Sequence, residues 1–380
     1  MILFEDVNDG ILPSQFIEEL IKKNFIFSNE NIDKDLIQPA SMDLRLGFKA
    51  WRVPASFLPG KNNTVEEKLS EFTMHEFSLS GGAVLECGCV YIVKLLEGLN
   101  LPQNLSGMAN PKSSTGRLDV FTRLIVDRTQ EFESVPKGYK GPLYLEISPR
   151  TFSVLVRTGT RLNQLRFRIG NSSINDKRMQ ELQLKHKLVR YNDTSILSNK
   201  IENGIPLSVD LKGEDGIVAF KAKRHSMLID CDKQYNYKFD FFWEKITTQD
   251  LIINNENKNR SLVLSPDAFY ILSSKEYVSV PSNLAAEMRA YDTRVGEFRA
   301  HYAGFFDPGF GLLDLNAGNT KAVLEVRSHD VPFLIEDGQT ICRLVYEPMI
   351  KIPKELYGQK KGKNNYQSQG LKLSKHFIQI

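Results

Sequence analysis

The sequence predicts a mainly all-β protein of two tandem antiparallel barrel or sandwich domains, with short helices at the N-terminus and between the domains. Three observations support this prediction: a long internal repeat, many short apolar runs with a period of two, and turn sequences between those runs. Long stretches with helical periodicity are scarce.

The repeat sets the number of domains. Pro-Ala-Ser-Met-Asp-Leu over 39–44 is echoed by Pro-Leu-Ser-Val-Asp-Leu over 206–211, and Pro102 recurs 179 residues later as Pro281 in a similar setting. A chain of 380 residues also exceeds what one hydrophobic core usually serves. We therefore expect a first repeat over 1–200, with a polar linker from about 171, and a second repeat over 201–380 that ends in a tail.

Two helices are expected. The first begins at Pro13-Ser14, because Phe16, Ile17, Leu20 and Ile21 fall on one apolar face. The second lies in the polar linker, around Lys177–Lys187.

The strands follow from alternation. Leu165–Ile169 and Tyr235–Phe241 both alternate with a period of two, as a strand with one buried face does. Turn sequences such as those at 58–60, 80–82 and 307–309 separate such runs.

Composition excludes several classes of function. The 49 basic and 46 acidic side chains nearly balance, which argues against a nucleic-acid coat but leaves room for a local basic pocket that binds a small polyanion. With no apolar run of membrane length and no leader pattern, we expect a soluble, cytoplasmic protein without a membrane partner. Four cysteines are too few for a disulfide scaffold, and Cys87 and Cys89 lack the further ligands of a zinc site.

Specific motifs appear in both repeats. The relevant segments are Lys112-Ser113-Ser114-Thr115-Gly116-Arg117-Leu118, Ala303-Gly304-Phe305-Phe306-Asp307-Pro308-Gly309-Phe310-Gly311, Val323-Leu324-Glu325-Val326, and a tail containing Tyr357, Tyr366, Gln369 and Lys375. Taken in this order, they resemble the basic-Ser-Ser-x-x-Arg-Leu element, the Ala-x-x-x-Asp-Pro-Gly segment, the glutamate strand and the nucleotide-covering tail of the dCTP deaminase family. That family shares the trimeric dUTPase fold, so the resemblance implies two tandem dUTPase-like domains.

The resemblance also implies an activity and a set of site residues. The activity is hydrolytic deamination of dCTP to dUTP and ammonia. The implied catalytic residues are Glu325, Arg117 and Ala303, and the implied nucleotide-binding residues are Lys112, Ser113, Ser114, Asp307, Tyr357, Lys363, Tyr366 and Gln369. Because the family has a lysine where this chain has Asn365, the lysine role is assigned to Lys363. Asp-Pro-Gly is a turn sequence in its own right, so a structural role for Asp307 stays open.

The two repeats keep different halves of such a site. The second repeat keeps Arg294 but has Tyr291 and Asp292 in place of the serine pair, and an aspartate there would repel phosphate. The first repeat has Glu146 as a glutamate match, but Ser-Val-Pro-Lys-Gly over 134–138 replaces the Asp-Pro-Gly element. We therefore expect a composite site that joins first-repeat serines to Glu325.

The residue types also bear on the mechanism. The His-x-Glu and Pro-Cys-x-x-Cys signature of zinc deaminases is absent, so a zinc-independent reaction is expected, with a buried glutamate exchanging protons with water. From pattern alone Glu325 could equally be an outward-facing strand residue, an alternative that inward-facing Leu324 and Val326 would support. Mg²⁺ is expected to arrive on the substrate triphosphate.

Other functions and assemblies stay open. A dUTPase, a bifunctional deaminase and dUTPase, and a non-catalytic nucleotide sensor are the alternatives. We expect a homo-oligomer, with a trimer favoured, and the resemblance admits thymidine triphosphate as an inhibitor.

Overall fold

The computed structural model describes residues 9–191, 194–195, 200–254, 256, 258–289, 299–301, 304–312, 318–328, 331–359 and 365–378. The α-helices in these ranges are α1 Ser14–Lys22, α2 Val65–Phe72, α3 Ser113–Gly116 and α4 Asp176–His186. None of the described helices has the length and apolar character needed to cross a bilayer.

The strands account for most of the regular structure. In chain order they are β1 Gly10–Ile11, β2 Ile26–Ser28, β3 Met42–Leu44, β4 Leu46–Val53, β5 His75–Ser78, β6 Ala83–Leu85, β7 Val90–Asn100, β8 Leu105–Pro111, β9 Val120–Val126, β10 Ser134–Val135, β11 Lys140–Pro149, β12 Val154–Val156, β13 Asn163–Ile169, β14 Val189–Tyr191, β15 Thr194–Ser195, β16 Ile205–Ser208, β17 Ile217–Ala222, β18 Ile229–Asp230, β19 Trp243–Thr247, β20 Ile252–Ile253, β21 Arg260–Leu264, β22 Phe269–Val278, β23 Leu284–Arg289, β24 Arg299–His301, β25 Phe305–Phe306, β26 Lys321–Arg327, β27 Phe333–Glu336 and β28 Thr340–Pro348. The mainly β class and the tandem arrangement are confirmed.

The chain forms two compact units that do not follow the sequence in two simple blocks. Unit 1 comprises Met1–Ser172, Met227–Gln234 and Pro348–Glu355, and unit 2 comprises Ser173–Ser226, Tyr235–Glu347 and Leu356–Ile380. Two short segments that follow the linker in sequence therefore belong to unit 1.

Unit 1 is built from antiparallel sheets. One has the order β5-β4-β7-β11-β9, with β2 also on β7, and a second has the order β1-β13-β8-β10, with β3 also on β13. A small third sheet, β18-β12-β6, includes a parallel pair between β12 and β18. The strand predicted over 165–169 is confirmed as part of β13.

Helix α2 covers the outer face of the first of these sheets. Its buried residues Val65 and Leu69 belong to one apolar cluster with Ile92 and Tyr144 of the sheet. A capping box fixes its start, because Thr64 and Glu67 satisfy each other's backbone N–H groups. This face of unit 1 is therefore shielded from solvent.

Unit 2 repeats the same plan. Its large sheet has the order β15-β14-β22-β17-β19, with β26 on β22 and β24 on β26. Two further sheets have the orders β16-β28-β23-β25 and β20-β21-β27. Strand β26 contributes Ala322, Leu324 and Val326 to the main core.

The opposite face of this large sheet is also covered. An aromatic cluster lies there, in which Trp243 packs on Phe269 at 6.0 Å and on Phe377 at 5.9 Å between ring centroids. Phe377 is fully buried, so the C-terminal tail is a structural part of unit 2. The aromatic cluster thus covers this face where Trp243 of β19 and Phe269 of β22 lie.

The predicted helices are confirmed, and one predicted strand is wrong. Helix α1 begins at Ser14 with Ile17 and Leu20 buried, and α4 occupies the linker. Residues 235–241 form no strand, because Tyr235 has a left-handed backbone with φ of 51° and a 3₁₀ turn follows at Phe239–Phe241. The alternating apolar residues there pack on scattered aromatic partners.

Candidate active site

The serine element of unit 1 forms a single tight turn between two strands. Lys112 follows β8, and its backbone N–H donates to the carbonyl of Leu162 at 3.0 Å. The N–H groups of Thr115 and Gly116 then donate back to the Lys112 carbonyl at 2.8 and 3.0 Å, which closes the one-turn helix α3. Arg117 comes directly after this helix and is 3% exposed. The sequence order alone therefore brings Lys112, Ser113, Ser114 and Arg117 together.

Lys112 is engaged within unit 1. Its ammonium forms an ion pair with the buried carboxylate of Asp43 on β3. Sequence motifs assigned no role to Asp43. Asp43 stands in the motif that both repeats carry, and Asp210 of the second copy also pairs with a lysine, Lys321.

Glu325 lies in the middle of β26 on the face opposite the main core. It is 3% exposed, and its cross-strand neighbour on β22 is Ile271. Burial raises the pKa of the nearby Cys342 thiol, and the negative charges of Glu276 and Glu325 raise it further. The glutamate is therefore a buried carboxylate on the side of β26 that faces away from the main core.

The Asp-Pro-Gly element forms the expected turn. The N–H of Phe310 donates to the carbonyl of Asp307 at 3.1 Å, and Gly309 takes a φ of 103° that favours glycine. Asp307 is buried. Tyr357, where the tail begins, donates its backbone N–H to Pro308 at 2.8 Å.

Gln367 fastens the tail to this turn. Its amide nitrogen donates to the carbonyl of Gly309, and its amide oxygen accepts from the N–H of Gly311, both at 3.1 Å. A lone glutamine in a polar tail carries no signal in sequence, so this contact could not be anticipated. Tyr366 beside it is buried, and its backbone N–H donates to the hydroxyl of Tyr357 at 3.3 Å.

Gln369 fastens the tail to the strand that carries Glu325. The N–H of Lys321 donates to the Gln369 carbonyl at 2.8 Å, and the Gln369 side chain donates to the Lys321 carbonyl at 3.0 Å. Gln369 also borders a cavity of about 240 Å³. Glu325 lies four residues further along the same strand.

Lys321 itself is the centre of an ion cluster in which its partner Asp210 is buried and its partner Glu214 is exposed. Its ammonium lies 2.8 Å from Asp210 and 2.9 Å from Glu214. Burial would raise the pKa of Asp210, but the hydrogen bond and charge of Lys321 outweigh burial and lower it. Burial would lower the pKa of Lys321, but the hydrogen bonds and charges of Asp210 and Glu214 outweigh burial and raise it. The cluster therefore fixes the start of β26.

The predicted site residues fall into two sets. Lys112, Ser113, Ser114 and Arg117 lie together in unit 1, whereas Asp307, Tyr357, Tyr366, Gln369 and Glu325 lie in unit 2 on the turn, the tail and β26. Ala303 and Lys363 lie outside the described residues, as do Tyr291, Asp292 and Arg294.

Comparisons with known proteins identify the family of the chain. The family described as the 2'-deoxycytidine 5'-triphosphate deaminase N-terminal domain matches residues 8–171, and its C-terminal domain matches residues 175–377. The crystal structure of 2'-deoxycytidine 5'-triphosphate deaminase from Agrobacterium tumefaciens is 50% identical, with a TM-score of 0.81 over 90% of this chain and 99% of that chain.

Curated relatives match shorter stretches. The dCTP deaminase, dUMP-forming, of Methanobrevibacter smithii is 30% identical over 168 residues, which is 43% of this chain and 76% of the relative. The dCTP deaminase of Haloarcula marismortui is 30% identical over 138 residues, which is 36% of this chain and 68% of the relative. The dCTP deaminase, dUMP-forming, of Corynebacterium glutamicum is 33% identical over 122 residues, which is 31% of this chain and 59% of the relative.

Fold and site residues together define a protein with two tandem dUTPase-like β domains. More narrowly, the chain belongs to the dCTP deaminase family.

Proposed function

We propose that this protein deaminates dCTP hydrolytically to dUTP and ammonia, with Glu325 as the general base and acid. The observation that carries the proposal is a carboxylate buried at 3% exposure on β26, the strand to which the tail is fastened. Family membership supplies the substrate class. Desolvation disfavours the charged form of a carboxylate, so burial eases the proton uptake that such a base requires.

The chemistry needs one water and no redox partner. Glu325 takes a proton from water as the water oxygen bonds to cytosine carbon 4, and then passes that proton to ring nitrogen 3. The glutamate next takes the proton of the new hydroxyl group and delivers it to the amino nitrogen, the carbon–nitrogen bond breaks as the carbonyl at carbon 4 forms, and ammonia leaves. The products are dUTP and ammonia, and the glutamate returns to its starting state.

The remaining roles are divided between the repeats. Arg117 stabilises the negative charge that develops on the attacked ring, and Ser113 and Ser114 bind phosphate oxygens through their hydroxyls. Because Lys112 already pairs with Asp43, its contribution to the phosphates is charge at a distance and not a direct bond. The small Ala303 leaves room for the water.

The tail and its turn complete the nucleotide site. Asp307 binds the sugar 3′-hydroxyl, Tyr357, Tyr366 and Gln369 cover the nucleotide, and Lys363 counters triphosphate charge. The substrate is the Mg²⁺ complex of dCTP, with the metal held by phosphates and waters. A homo-oligomer, with a trimer favoured, is the proposed assembly.

Glu325→Gln tests the general base. It should lower kcat by about 10²–10⁴-fold, because a positioned proton acceptor contributes that much. Glu336→Gln, on the exposed side of β27 in the same unit, is the matched control and should leave kcat unchanged. Full activity in Glu325→Gln would refute the assignment.

Mixing variants tests the division between repeats. Chains with Ser113→Ala and chains with Glu325→Gln are combined, dissociated and reassembled. Activity regained by the mixture indicates that the serine and the glutamate of one site come from different chains. If both single variants are inactive and the mixture regains nothing, the two residues act within one chain. Full activity in Ser113→Ala alone removes the serine from the site.

A second candidate is the bifunctional reaction that continues to dUMP and pyrophosphate. The relatives from Methanobrevibacter smithii and Corynebacterium glutamicum are named dUMP-forming, which favours it. Product analysis after incubation with dCTP and Mg²⁺ separates the two candidates: dUTP with ammonia supports simple deamination, and dUMP with pyrophosphate supports the bifunctional enzyme. Turnover of added dUTP alone indicates a dUTPase, and no turnover a nucleotide-binding protein without catalysis.

A further inference from the structure

Unit 1 carries a positional copy of Glu325. Glu146 lies on β11 opposite Ile92 of β7, as Glu325 lies on β26 opposite Ile271 of β22, and both pairs are separated by the repeat offset of 179 residues. Glu146 is also buried, at 1% exposure. By position and burial alone, each chain would therefore hold two equivalent carboxylates.

Arg123 occupies one oxygen of Glu146. The arginine stands directly opposite the glutamate on β9, and its Nε and Nη2 donate to Oε1 at 2.9 and 2.6 Å. Nη2 also donates to the hydroxyl of Ser56 at 2.5 Å. A guanidinium keeps its charge at every physiological pH, so Arg123 remains a double hydrogen-bond donor to Oε1.

Arg123 is itself held by aromatic rings. Its guanidinium lies 3.7 Å from the ring centroid of Phe132 and 4.8 Å from that of Phe121. Stacking of this kind adds attraction between the cation and the ring faces. The arginine and the two rings thus fill the space in front of Oε1.

The second oxygen of Glu146 is enclosed. Oε2 is buried and, within the described part of the chain, makes no hydrogen bond. A general base must reach the water whose proton it takes, directly or through one water. Burial alone does not exclude a base, but the two hydrogen bonds from Arg123 occupy Oε1 and leave it no place for an attacking water.

The second repeat lacks this arginine in sequence. The backbone register places His301 opposite Glu325, where Arg123 stands opposite Glu146. We infer that Arg123 withdraws Glu146 from catalysis and makes it one half of a structural ion pair, so that each chain contributes a single catalytic carboxylate. The inference rests on the proposed function, because it specifies which of two equivalent glutamates performs it.

The experiment compares Glu146→Gln, Arg123→Met and the double variant with Glu325→Gln. Glu146→Gln should keep kcat and KM within about twofold and should lower Tm, because Arg123 loses its charged partner. Arg123→Met should lower Tm further, since it leaves a buried carboxylate unpaired. The double variant should regain part of that loss, as coupled neighbours do.

The outcomes separate this inference from the proposed function. Loss of tenfold or more in kcat for Glu146→Gln, at a temperature where the variant is folded, overturns the inference even if Glu325→Gln is inactive. Activity in Glu325→Gln with loss in Glu146→Gln overturns both. The structural pair is overturned if the fall in Tm of the double variant equals the sum of the falls in the two single variants. This readout holds even if the wild type deaminates nothing.

Discussion

Replacing Lys321 by methionine tests how strongly the start of β26 depends on its ion cluster. The substitution keeps the length of the side chain but removes the charge that lies 2.8 Å from Asp210. Asp210 is 7% exposed, so water cannot replace the lost partner. Breaking one side of a buried pair costs about 3–5 kcal/mol. For a unit of this size that corresponds to a fall in Tm of about 6–20 °C.

The pH dependence of the variant carries a sign that can be checked. In the wild type the lowered pKa of Asp210 stabilises the folded protein at pH values above the ordinary pKa of an aspartate. This stabilisation is lost as the pH falls through the pKa of the folded state. Without Lys321, burial becomes the dominant influence and should raise the pKa of Asp210. The contribution then reverses, so the stability of Lys321→Met should fall as pH rises above the ordinary pKa of 3.8.

Thermal and urea unfolding across that pH range provide the assay. Lys321→Met with Asp210→Asn should recover much of the loss, because the uncompensated charge is gone. Lys68→Met is the control, since its partner Glu71 is exposed and a surface pair contributes about 0–1 kcal/mol. A loss below about 1 kcal/mol, or one that does not vary with pH, would refute the account.

Three further substitutions, one of them with a control variant, test other features. Burial raises the pKa of Glu276, so its contribution to stability is present below the ordinary value of 4.5 and is lost as pH rises above it. Glu276→Gln should flatten the fall of Tm as pH rises above 4.5, and an unchanged slope would contradict this. Gly311→Ala should destabilise strongly in urea titration, because a Cβ would lie 1.9 Å from the carbonyl oxygen of Val278. Gly216→Ala has a similar φ and open space, so it should cost about 1–2 kcal/mol, and equal losses would exclude the clash. Gln369→Ala removes the hydrogen bond from this side chain to the Lys321 carbonyl, which contributes about 1 kcal/mol. It should raise KM about fivefold in steady-state kinetics and leave Tm nearly unchanged. A fall in kcat alone would argue against a lid.

Local periodicity predicted the elements that depend on local packing. The helix α1 and the strand β13 have one apolar face, and a side chain's neighbours along the chain define that face. Tyr235–Phe241 alternates for a different reason. Tyr237 packs on Phe242 at 5.6 Å and Phe239 on Phe220 at 6.2 Å, so each ring is placed by its own partner and no strand forms.

The burial of Glu325 could not be decided from the period of two. Leu324 and Val326 do face the main core, which would place a glutamate between them in water if the sheet had one solvent face. In unit 2 a second apolar layer, which includes Phe377 from the tail, covers the other face. A layer assembled from distant segments leaves no trace in the strand's own pattern.

The ion pair of Lys112 with Asp43 was beyond sequence reasoning for a similar reason. The two residues are far apart in the chain, and β13 brings them close by pairing with both β3 and β8. The motif identified the lysine as basic, and charge alone made phosphate a reasonable partner. Only tertiary pairing of strands reveals the carboxylate that it meets first.

The segment 227–234 makes the ancestral duplication difficult to reverse. This segment carries β18, which pairs with β12 of unit 1. There the two terminal nitrogens of Arg157 donate hydrogen bonds to the Asp230 carboxylate at 2.7 and 3.0 Å. A gene split at the linker would encode a first half without this strand and its acid. Fission into two independent genes would therefore yield an incomplete protein, which would favour inheritance of the two copies as one reading frame.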